Sequence, residues 1–474
     1  MAGSQEPANA GSRIVTPQGE TYLVSARLVA HDDPDGEGAV VWNALRGRPI
    51  LVPRETARAL RGEGPAEIPP QALHELVAKG HLARSVGDEK AGVDERVARY
   101  VDEIRGGSKV AYLRLIVADD CNFACTYCIH DRACPARDGT RPRRMSFETA
   151  RRAVDLFLEF LRSSGRTAGT ICFDGGEPLL ARDVVTRTID YARQAERPDV
   201  GLELILATNG VLLDERTAAW LGERKVVIGM SLDGIGGVND LVRRTAGGKG
   251  TFASIVGKID LLERIGHPLT GLSATIARET VGVFGRELID FARSRGMKWL
   301  RFDPDILDMR GVDATRMAER LLEGWRLGTA SGIDVIGFWT RPATNLLATG
   351  ENKEFLGFCL AARGETVAID PRGEIVPCPH SRVRIGHLDD LEGGLGPIFS
   401  GEGRYERYVL ENTVGRIPAC RGCEIEGFCA GGCAAAREIR GVTGEEGAEP
   451  TLCEIYRQAT RRLVAERLRG KAAV

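Results

Sequence analysis

Short apolar runs alternate with amphipathic stretches through the middle of the chain. Between about residues 108 and 332, apolar runs of four to seven residues are separated by segments with a helical period. Runs of this kind are typical of parallel strands buried between layers of helices. Predicted strands cover Ala111–Val117, Thr170–Asp174, Leu202–Ala207, Val226–Leu232, Leu269–Thr275 and Trp299–Phe302, and predicted helices lie near Ser146–Arg162, Asp183–Gln194, Glu215–Arg224, Thr251–Ile265 and Val283–Arg295.

This alternation predicts an α/β fold built on a parallel sheet. About six strand–helix units are too few for a complete eight-stranded barrel, so we expect a partial (β/α)6 barrel of the TIM type. Polar motifs follow the first four strands, as CNFACTYC, FDGGEP, ATNG and SLDG. Because such barrels build their sites at the carboxyl ends of the strands, we expect the four motifs to lie together.

The segment before the barrel mixes short strands and short helices. We expect residues 1–20, which are small and polar, to be frayed. Strands followed by two helices, the second capped by Gly80, are typical of a small α+β module of the winged-helix kind. The predicted elements are a strand over Thr21–Val29, hairpin strands over Ala39–Trp42 and Pro49–Val52, helices over Arg54–Arg61 and Gln71–Lys79, and a linking helix over Asp94–Arg105.

The segment after the barrel is rich in glycine and cysteine. Residues 356–456 lack long periodic segments, and hydrophobic burial alone can hardly fold such a stretch, so we expect bound metal to stabilise it. An amphipathic helix is predicted over Thr451–Arg469. These patterns divide the chain into an N-terminal module (1–107), a barrel (108–335) and a C-terminal Cys-rich domain (336–474).

Composition and charge argue against a nucleic-acid-binding protein and against a membrane protein. The chain has 474 residues, more than one core usually holds, and it is 43% hydrophobic with a net charge of -2. It has neither a strong basic block nor a run of 18 apolar residues, so we expect neither a nucleic-acid nor a membrane partner. The N-terminus lacks the pattern of a signal peptide, and we expect a cytoplasmic protein.

Twelve cysteines in such a chain favour bound metal over disulfides. Cys172 lies alone in an apolar run and is expected to be a core thiol. Cys121, Cys125 and Cys128 form a CxxxCxxC loop after the first strand, and Cys134 nearby has no assigned role. Three thiolates this close can hold three corners of a 4Fe-4S cluster and leave the fourth iron open to a small molecule.

A second cysteine group lies in the C-terminal domain. Zinc is the alternative metal for both groups, with His130 able to complete a site in the first loop. Structural zinc, however, usually takes its four ligands from paired motifs. The second group consists of Cys359, Cys378, Cys420, Cys423, Cys429, Cys433 and Cys453.

CxxxCxxC after the first strand, together with FDGGEP after the second, resembles the radical S-adenosylmethionine (SAM) family over about residues 108–335. The resemblance implies a 4Fe-4S cluster on Cys121, Cys125 and Cys128 whose open iron chelates SAM. It also implies a flavodoxin- or ferredoxin-type electron donor and a 5′-deoxyadenosyl radical that takes hydrogen from the substrate. The implied cofactor-binding residues are Tyr127, Gly175, Gly176, Glu177, Pro178, Thr208, Asn209, Ser231, Asp233, Arg243 (with Arg244 as its rival) and Ile276.

The second cysteine group is similar to the SPASM extension of this family. The resemblance implies two auxiliary clusters, and hence three 4Fe-4S clusters in all. One auxiliary cluster would use Cys420, Cys423, Cys429 and Cys453, and the other Cys359, Cys378 and Cys433. Two cubanes need eight ligands, so one auxiliary cluster would have an open site or a non-cysteine ligand, for which Glu365, Asp370 and His380 are candidates.

The resemblance implies a peptide-modifying radical enzyme. Its substrate would be a ribosomally made precursor peptide, or a protein, that is crosslinked through a thioether or carbon–carbon bond, epimerised or oxidised. The N-terminal module resembles the leader-recognition (RRE) module of such maturases, with a packing domain as the alternative. Asp303 and Asp305, after the sixth strand, are candidate catalytic carboxylates. The alternative functions are a formylglycine-forming, sulfatase-maturing enzyme and a non-enzymatic iron–sulfur electron carrier.

Overall fold

The computed structural model describes most of the chain outside the first eleven residues. Cys134, the thiol without an assigned role, lies outside the described residues. The described residues are 12–15, 19–64, 68–84, 95, 98–100, 102–107, 109–133, 143–196, 198–283, 285–348, 357–392, 394–399, 403–441 and 449–472.

The N-terminal module contains two three-stranded antiparallel sheets and two helices. The first sheet has the order β1-β2-β6 and the second has the order β3-β4-β5. These strands are β1 (Arg13–Val15), β2 (Thr21–Val24), β3 (Leu28–Asp32), β4 (Gly38–Asn43), β5 (Gly47–Pro53) and β6 (Leu82–Ala83), and the helices are Arg54–Leu60 and Pro70–Ala78.

Two predictions for this module were wrong. The single strand expected over Thr21–Val29 is two strands in different sheets, because a turn at Ser25 separates them. The amide of Leu28 donates to the Ser25 carbonyl oxygen over 3.0 Å, and the amide of Arg27 donates to the Ser25 hydroxyl over 3.1 Å. Part of the segment expected to be frayed, Arg13–Val15, pairs with β2.

A ten-stranded sheet forms the centre of the molecule. Its strands are β7 (Tyr112–Ala118), β8 (Ala168–Gly175), β9 (Gly201–Ala207), β10 (Val226–Ser231), β11 (Gly271–Ile276), β12 (Trp299–Pro304), β13 (Asp334–Ile336), β14 (Thr366–Ile369), β15 (Glu374–Val376) and β16 (Gly386–His387). Their order is β13-β12-β11-β10-β9-β8-β7-β14-β15-β16. The strands from β13 to β14 run parallel, and β15 and β16 add an antiparallel hairpin.

The six predicted strands are therefore extended at both edges. β13 adds a seventh parallel strand that is only three residues long, too short for an apolar run to reveal. β14 belongs to the Cys-rich segment but pairs with β7, and Val367 aligns with Leu113. The sheet is thus shared between the barrel and the C-terminal domain.

The predicted helices of the barrel are confirmed, with ends shifted by up to three residues. The helix expected to begin at Val283 starts at Arg286. The helices from the end of β7 to the Cys-rich segment are Ile129–Ala133, Phe147–Ser163, Arg182–Ala195, Glu215–Glu223, Gly237–Val242, Phe252–Arg264, Arg286–Ser294, Ala314–Ala330 and Arg341–Leu347. Short 3-10 helices lie at Arg105–Gly107, Pro178–Ala181, Phe338–Thr340, Leu388–Asp390 and Pro418–Cys420.

The C-terminal domain consists of the β14–β16 hairpin region, short helices and one long helix. The long helix, predicted over Thr451–Arg469, spans Pro450–Ala472 and packs against Ala314–Ala330. None of the described helices has both the length and the apolar character needed to cross a bilayer. The short helices are Gly396–Phe399, Arg404–Glu411, Glu426–Cys429 and Ala434–Ile439.

The N-terminal module docks on the loop that carries Cys423 and Cys429. The buried Trp42 indole donates to the Glu424 carbonyl oxygen over 2.8 Å, and the Gly427 amide donates to the Ala44 carbonyl oxygen over 2.8 Å. The Glu424 carboxylate accepts from Arg461 of the long helix over 2.9 Å and also contacts His31. Strands of the first module thus hold one face of a cysteine loop almost 400 residues away.

Candidate functional site

The first cysteine loop follows β7 at the carboxyl edge of the sheet. Its backbone is fixed by the segment after the helix Gly237–Val242, because Ala124 donates to the Arg244 carbonyl oxygen over 2.8 Å and Thr126 donates to Val242 over 3.0 Å. Burial raises the pKa of Cys121 to about 12, and the neighbouring thiols of the same loop act in the same direction. The three thiols of the loop are therefore close enough to influence one another, and their role as cluster ligands stays a prediction.

Two glycines at the end of β8 let that strand approach the cysteine loop. A Cβ on Gly176 would lie 2.2 Å from the Asp120 carbonyl oxygen, and one on Gly175 would lie 2.3 Å from that of Ala118. Gly175 also has a φ of +130°, which side-chain-bearing residues rarely adopt. The family resemblance implies close contact of these glycines with a cofactor. In the structure, their nearest constraint is the loop itself.

The Glu177 carboxylate joins two of the predicted motifs. It is fully buried, and it accepts from the Thr208 hydroxyl over 2.7 Å and from the Asn209 amide over 2.8 Å. The Asn209 side chain in turn donates to Asn122, inside the cysteine loop, over 2.7 Å. Burial raises the pKa of Glu177, although the hydrogen bonds oppose this. Hydrogen bonds therefore connect the GGEP and TNG segments to each other and to the cysteine loop.

Tyr127, Asp233 and Arg243 form a buried network behind the cysteine loop. The Arg243 guanidinium donates to Asp233 over 3.0 Å and to the Tyr127 hydroxyl over 2.6 Å, and that hydroxyl also donates to Asp233. The other Asp233 oxygen accepts from the Thr275 amide over 2.9 Å. Burial is the main reason that the pKa of Tyr127 lies well above its usual value. Arg244 is the less enclosed of the two arginines, and its guanidinium bonds the Asp240 carbonyl oxygen.

A cavity of about 270 Å³ opens between the cysteine loop and the strand ends. Its wall brings together ten residues predicted from the sequence: Cys121, Cys125, Cys128, Tyr127, Gly175, Gly176, Thr208, Asn209, Ser231 and Arg243. Six further residues of the wall are not predicted from the sequence: Phe123, Asp174, Ala207, Gly229, Met230 and Ser273. Ser273 aligns with Ser231 across neighbouring strands, a pairing that no local pattern reveals.

Four predicted cofactor residues lie behind this wall. Glu177 and Asp233 accept hydrogen bonds from residues of the wall, as described above. Pro178 starts the 3-10 helix Pro178–Ala181 and is buried. Ile276 is fully buried among core side chains, on the opposite face of β11 from Ser273.

Strand register places an ion pair beside the cavity. Arg114 aligns with Cys172, two positions before Asp174, so both charged side chains project from the same face of the sheet. The Arg114 guanidinium donates to Asp174. Burial acts to raise the pKa of Asp174, but Arg114, His380 and the Gly175 amide together outweigh burial, so the pKa is lowered. Cys172 is buried, as predicted.

The two candidate catalytic carboxylates have different surroundings. Arg301 aligns with Ser273, so Arg301 and Asp303 share the face of the cavity wall. Asp303 accepts from the Arg301 guanidinium over 2.5 Å and from the Phe338 amide over 2.5 Å. Asp305 is buried and accepts from the Leu307 amide over 2.8 Å, which fixes the turn after β12.

The seven downstream thiols fall into two sets by their mutual electrostatic effects. In the first set, burial raises the pKa of Cys420 to about 12 and that of Cys453 to about 11, and thiols of the same set add to both shifts. Burial also raises the pKa of Cys429, and the neighbouring thiols of Cys453, Cys420 and Cys423 raise it further. In the second set, after burial itself, Cys433 and Cys359 are the next causes that raise the pKa of Cys378. These are the two groups that the resemblance to the SPASM extension implies, and their role as cluster ligands stays a prediction.

Two of the three non-cysteine candidates, Glu365 and Asp370, have partners away from the thiols. Glu365 pairs with Arg363 over 2.9 Å, and Asp370 accepts from the turn amides of Arg372 and Glu374. Burial lowers the pKa of His380 to about 4, and the charged side chains that act on it belong to the Asp174–Arg114 side of the site. Within the described residues, no three carboxylate, imidazole or thiol groups are arranged to hold a single metal ion.

Residues 115–285 match the family model described as the Radical SAM superfamily. This segment begins in β7 and contains the cysteine loop, GGEP, TNG and the Tyr127 network. The chain therefore contains a radical SAM domain. Such a domain makes the chain an enzyme and implies a 4Fe-4S cluster and SAM as cofactors. The thiol set and the adjoining cavity fit such a group.

Three relatives of this radical SAM chain extend beyond that segment. The radical SAM cyclopropyl synthase TigE of Paramaledivibacter caminithermalis is 22% identical over 406 residues, which cover 83% of this chain and 82% of TigE. A cysteine-type anaerobic sulfatase-maturating enzyme of Clostridium perfringens is 23% identical and covers 68% of this chain and 87% of its own. The structure of Streptococcus suis SuiB bound to precursor peptide SuiA has a TM-score of 0.54 at 14% identity, covering 91% of this chain and 99% of SuiB.

Proposed function

We propose that this chain is a SPASM-type radical SAM enzyme that modifies a ribosomally made precursor peptide. One observation carries the proposal: ten thiols form three separate sets, and the first set faces a cavity at the strand ends. A closed electron carrier needs no such cavity. The similarity to TigE and to SuiB, whose structure contains a precursor peptide, supports a peptide substrate.

Cys121, Cys125 and Cys128 would hold the first cluster in this proposal. With SAM bound, the cluster would supply the radical chemistry that removes a hydrogen atom from the substrate. Arg243 has five N–H donors, and its two bonds to Asp233 and Tyr127 leave others for the carboxylate of SAM. Ser231, Thr208 and Asn209 supply polar atoms to the same wall. The buried network would keep Arg243 in place before SAM arrives.

The downstream thiols would hold two auxiliary 4Fe-4S clusters. Cys420, Cys423, Cys429 and Cys453 give one cluster four ligands. Cys359, Cys378 and Cys433 give the other cluster three, which leaves one iron for a water or a substrate group. An external donor of the flavodoxin or ferredoxin type would deliver the electron that starts each turnover.

The substrate would reach the SAM cavity along the face that carries Arg301 and Asp303. Asp303 is held by two hydrogen bonds but keeps an accessible edge, so it is the better placed carboxylate for a proton transfer. Asp305 is buried and fixes its turn through the Leu307 amide. A peptide backbone offers the donors and acceptors that these groups, and Arg114 with Asp174, would bind.

The N-terminal module would have two roles. Its β3-β4-β5 sheet packs on the cysteine loop, which favours a structural role for that half. The β1-β2-β6 sheet leaves β1 and β6 at its edges, and such edges can accept an added peptide strand. We infer that a leader peptide would bind at an edge of the β1-β2-β6 sheet.

Mass spectrometry of a co-expressed peptide tests the proposed function. The chain would be produced anaerobically with each short peptide encoded beside its gene, and in parallel with a sulfatase-derived peptide. We expect a mass change in a neighbouring peptide that disappears in a C121A variant. Conversion of the sulfatase peptide to an aldehyde would favour sulfatase maturation instead. Absence of SAM cleavage by the reconstituted protein would contradict both.

A further inference from the structure

Arg341 is a partly buried cation between the barrel and the second thiol set. It begins the helix Arg341–Leu347, and its guanidinium lies 4.6 Å from the centre of the Phe338 ring and 5.7 Å from that of Phe358. One guanidinium nitrogen donates to the Phe358 carbonyl oxygen over 2.8 Å. Arg341 is therefore attached to the residue that directly precedes Cys359.

This guanidinium has no carboxylate partner among the described residues. Arg301 pairs with Asp303, whereas no carboxylate oxygen of the described chain lies within 4.0 Å of Arg341. Arg301 and Arg363 are close enough to repel it, and burial together with this repulsion lowers the pKa of Arg341. A buried cation is costly unless an anion compensates it.

The side chain of Cys359 is the neighbouring group that most favours the charged form of Arg341. Its contribution is larger than that of Asp303. Cys359 also acts on Cys378 and Cys433, the other members of its set. Thiolates that ligate iron keep a net negative charge at this place, which the free thiols do not supply.

We propose that Arg341 is the counter-charge of the auxiliary centre at Cys359, Cys378 and Cys433 and that it raises the reduction potential of that centre. This inference rests on the proposed function, since it requires iron at these thiols. A fixed positive charge stabilises the reduced, more negative state of a cluster more than the oxidised state. Arg341 thus tunes the auxiliary centre without ligating it, and it is a positioning residue.

EPR-monitored redox titration of the auxiliary centres tests this role. The full chain carrying C121A, C125A and C128A would be reconstituted, so that the first cluster does not contribute to the signal. In that background we expect R341Q to shift the midpoint potential of one auxiliary centre downwards and R341K to keep it near the original value. R224Q is the matched control, because Arg224 also stacks on a ring, that of Trp220, at 4.0 Å.

The outcomes separate the two proposals. An unchanged potential in R341Q, or equal downward shifts in R341Q and R341K, would overturn the role of the charge. Loss of auxiliary iron from both Arg341 variants would also overturn the role of the charge, because packing of the Arg341 side chain rather than its charge would then retain the iron. Retention of iron in R341K but not in R341Q would support it. Failure of the parent background to bind auxiliary iron would instead contradict the proposed function.

Discussion

At the scale of single residues, the site depends on buried charges that compensate each other. The Asp233 carboxylate is fully buried and accepts hydrogen bonds from Arg243, Tyr127 and the Thr275 amide. Arg243 retains only 10% of its side-chain surface. Removal of either charge leaves the other one in an environment that cannot solvate it. The network therefore fixes both the cavity wall and the stability of the barrel.

Replacement of Asp233 by asparagine tests this dependence. We expect D233N to lower the free energy of unfolding by about 3 kcal/mol or more, because the substitution leaves Arg243 buried without its anion. E215Q is the control, because it removes one partner of the exposed Arg264–Glu215 pair. This variant should change the free energy of unfolding by less than about 1 kcal/mol. Denaturant titration of both variants measures the difference. Equal effects would show that the buried network is not stabilising.

The sequence predicted the members of this network but not their contacts. Tyr127, Asp233 and Arg243 each follow from a local motif, and their cofactor role stays a prediction. Arg243 and Tyr127 are 116 residues apart, so only the folded sheet brings them together. Arg341 has no motif at all. Its role depends on the approach of Phe358 and Cys359 from a separate segment of the chain.

At the scale of elements, β8 and the cysteine loop fit together without room for a side chain. Gly176 faces the Asp120 carbonyl oxygen, and the Glu177 amide donates to that same oxygen over 2.9 Å. The backbone of the loop is therefore positioned by the strand that follows it in the sheet. Cluster binding at the loop should depend on this contact.

A G176A variant tests the contact between strand and loop. The added methyl group would lie 2.2 Å from a backbone oxygen, so the loop must move. We expect loss of about four of about twelve irons per chain, together with loss of SAM cleavage. G257A is the control: Gly257 lies in a helix with no atom within 4 Å of the added Cβ, so iron content should not change. Full iron content in G176A would contradict this account of the loop.

Regular elements were predictable from the sequence where the apolar runs were long. The six central strands and their helices were found because each strand carries apolar residues that are buried in the core. β13 was not predicted because a strand of three residues is too short to show a hydrophobic period. β14 was not predicted because its partner, β7, lies about 250 residues earlier in the chain. The strand expected over Thr21–Val29 failed because the turn at Ser25 lies within an otherwise apolar stretch.

At the scale of the whole molecule, the three predicted segments are not independent bodies. β14 extends the barrel sheet from the C-terminal side, and the N-terminal module covers the loop of Cys423 and Cys429. Gly427 packs so closely on this module that a Cβ would lie 2.7 Å from the Leu45 carbonyl oxygen. Segment boundaries drawn from composition could not reveal these contacts.

A G427A variant tests whether the N-terminal module supports the auxiliary site. The clash should push the β3-β4-β5 sheet away from the cysteine loop. We expect faster hydrogen exchange across Gly38–Pro53 and reduced auxiliary iron. G396A is the control, because the added Cβ on Gly396 has no atom within 4 Å. Unchanged exchange in G427A would show that the module and the loop are not coupled.

The central claim is that three thiol sets carry three clusters and that only the first one acts on SAM. Its most direct test is the iron content of the reconstituted chain, measured together with 5′-deoxyadenosine production, before and after the C121A, C125A and C128A substitutions. We predict about twelve irons per chain falling to about eight, with SAM cleavage abolished. An unchanged iron content, a fall to zero, or SAM cleavage that persists in the triple variant would contradict the account.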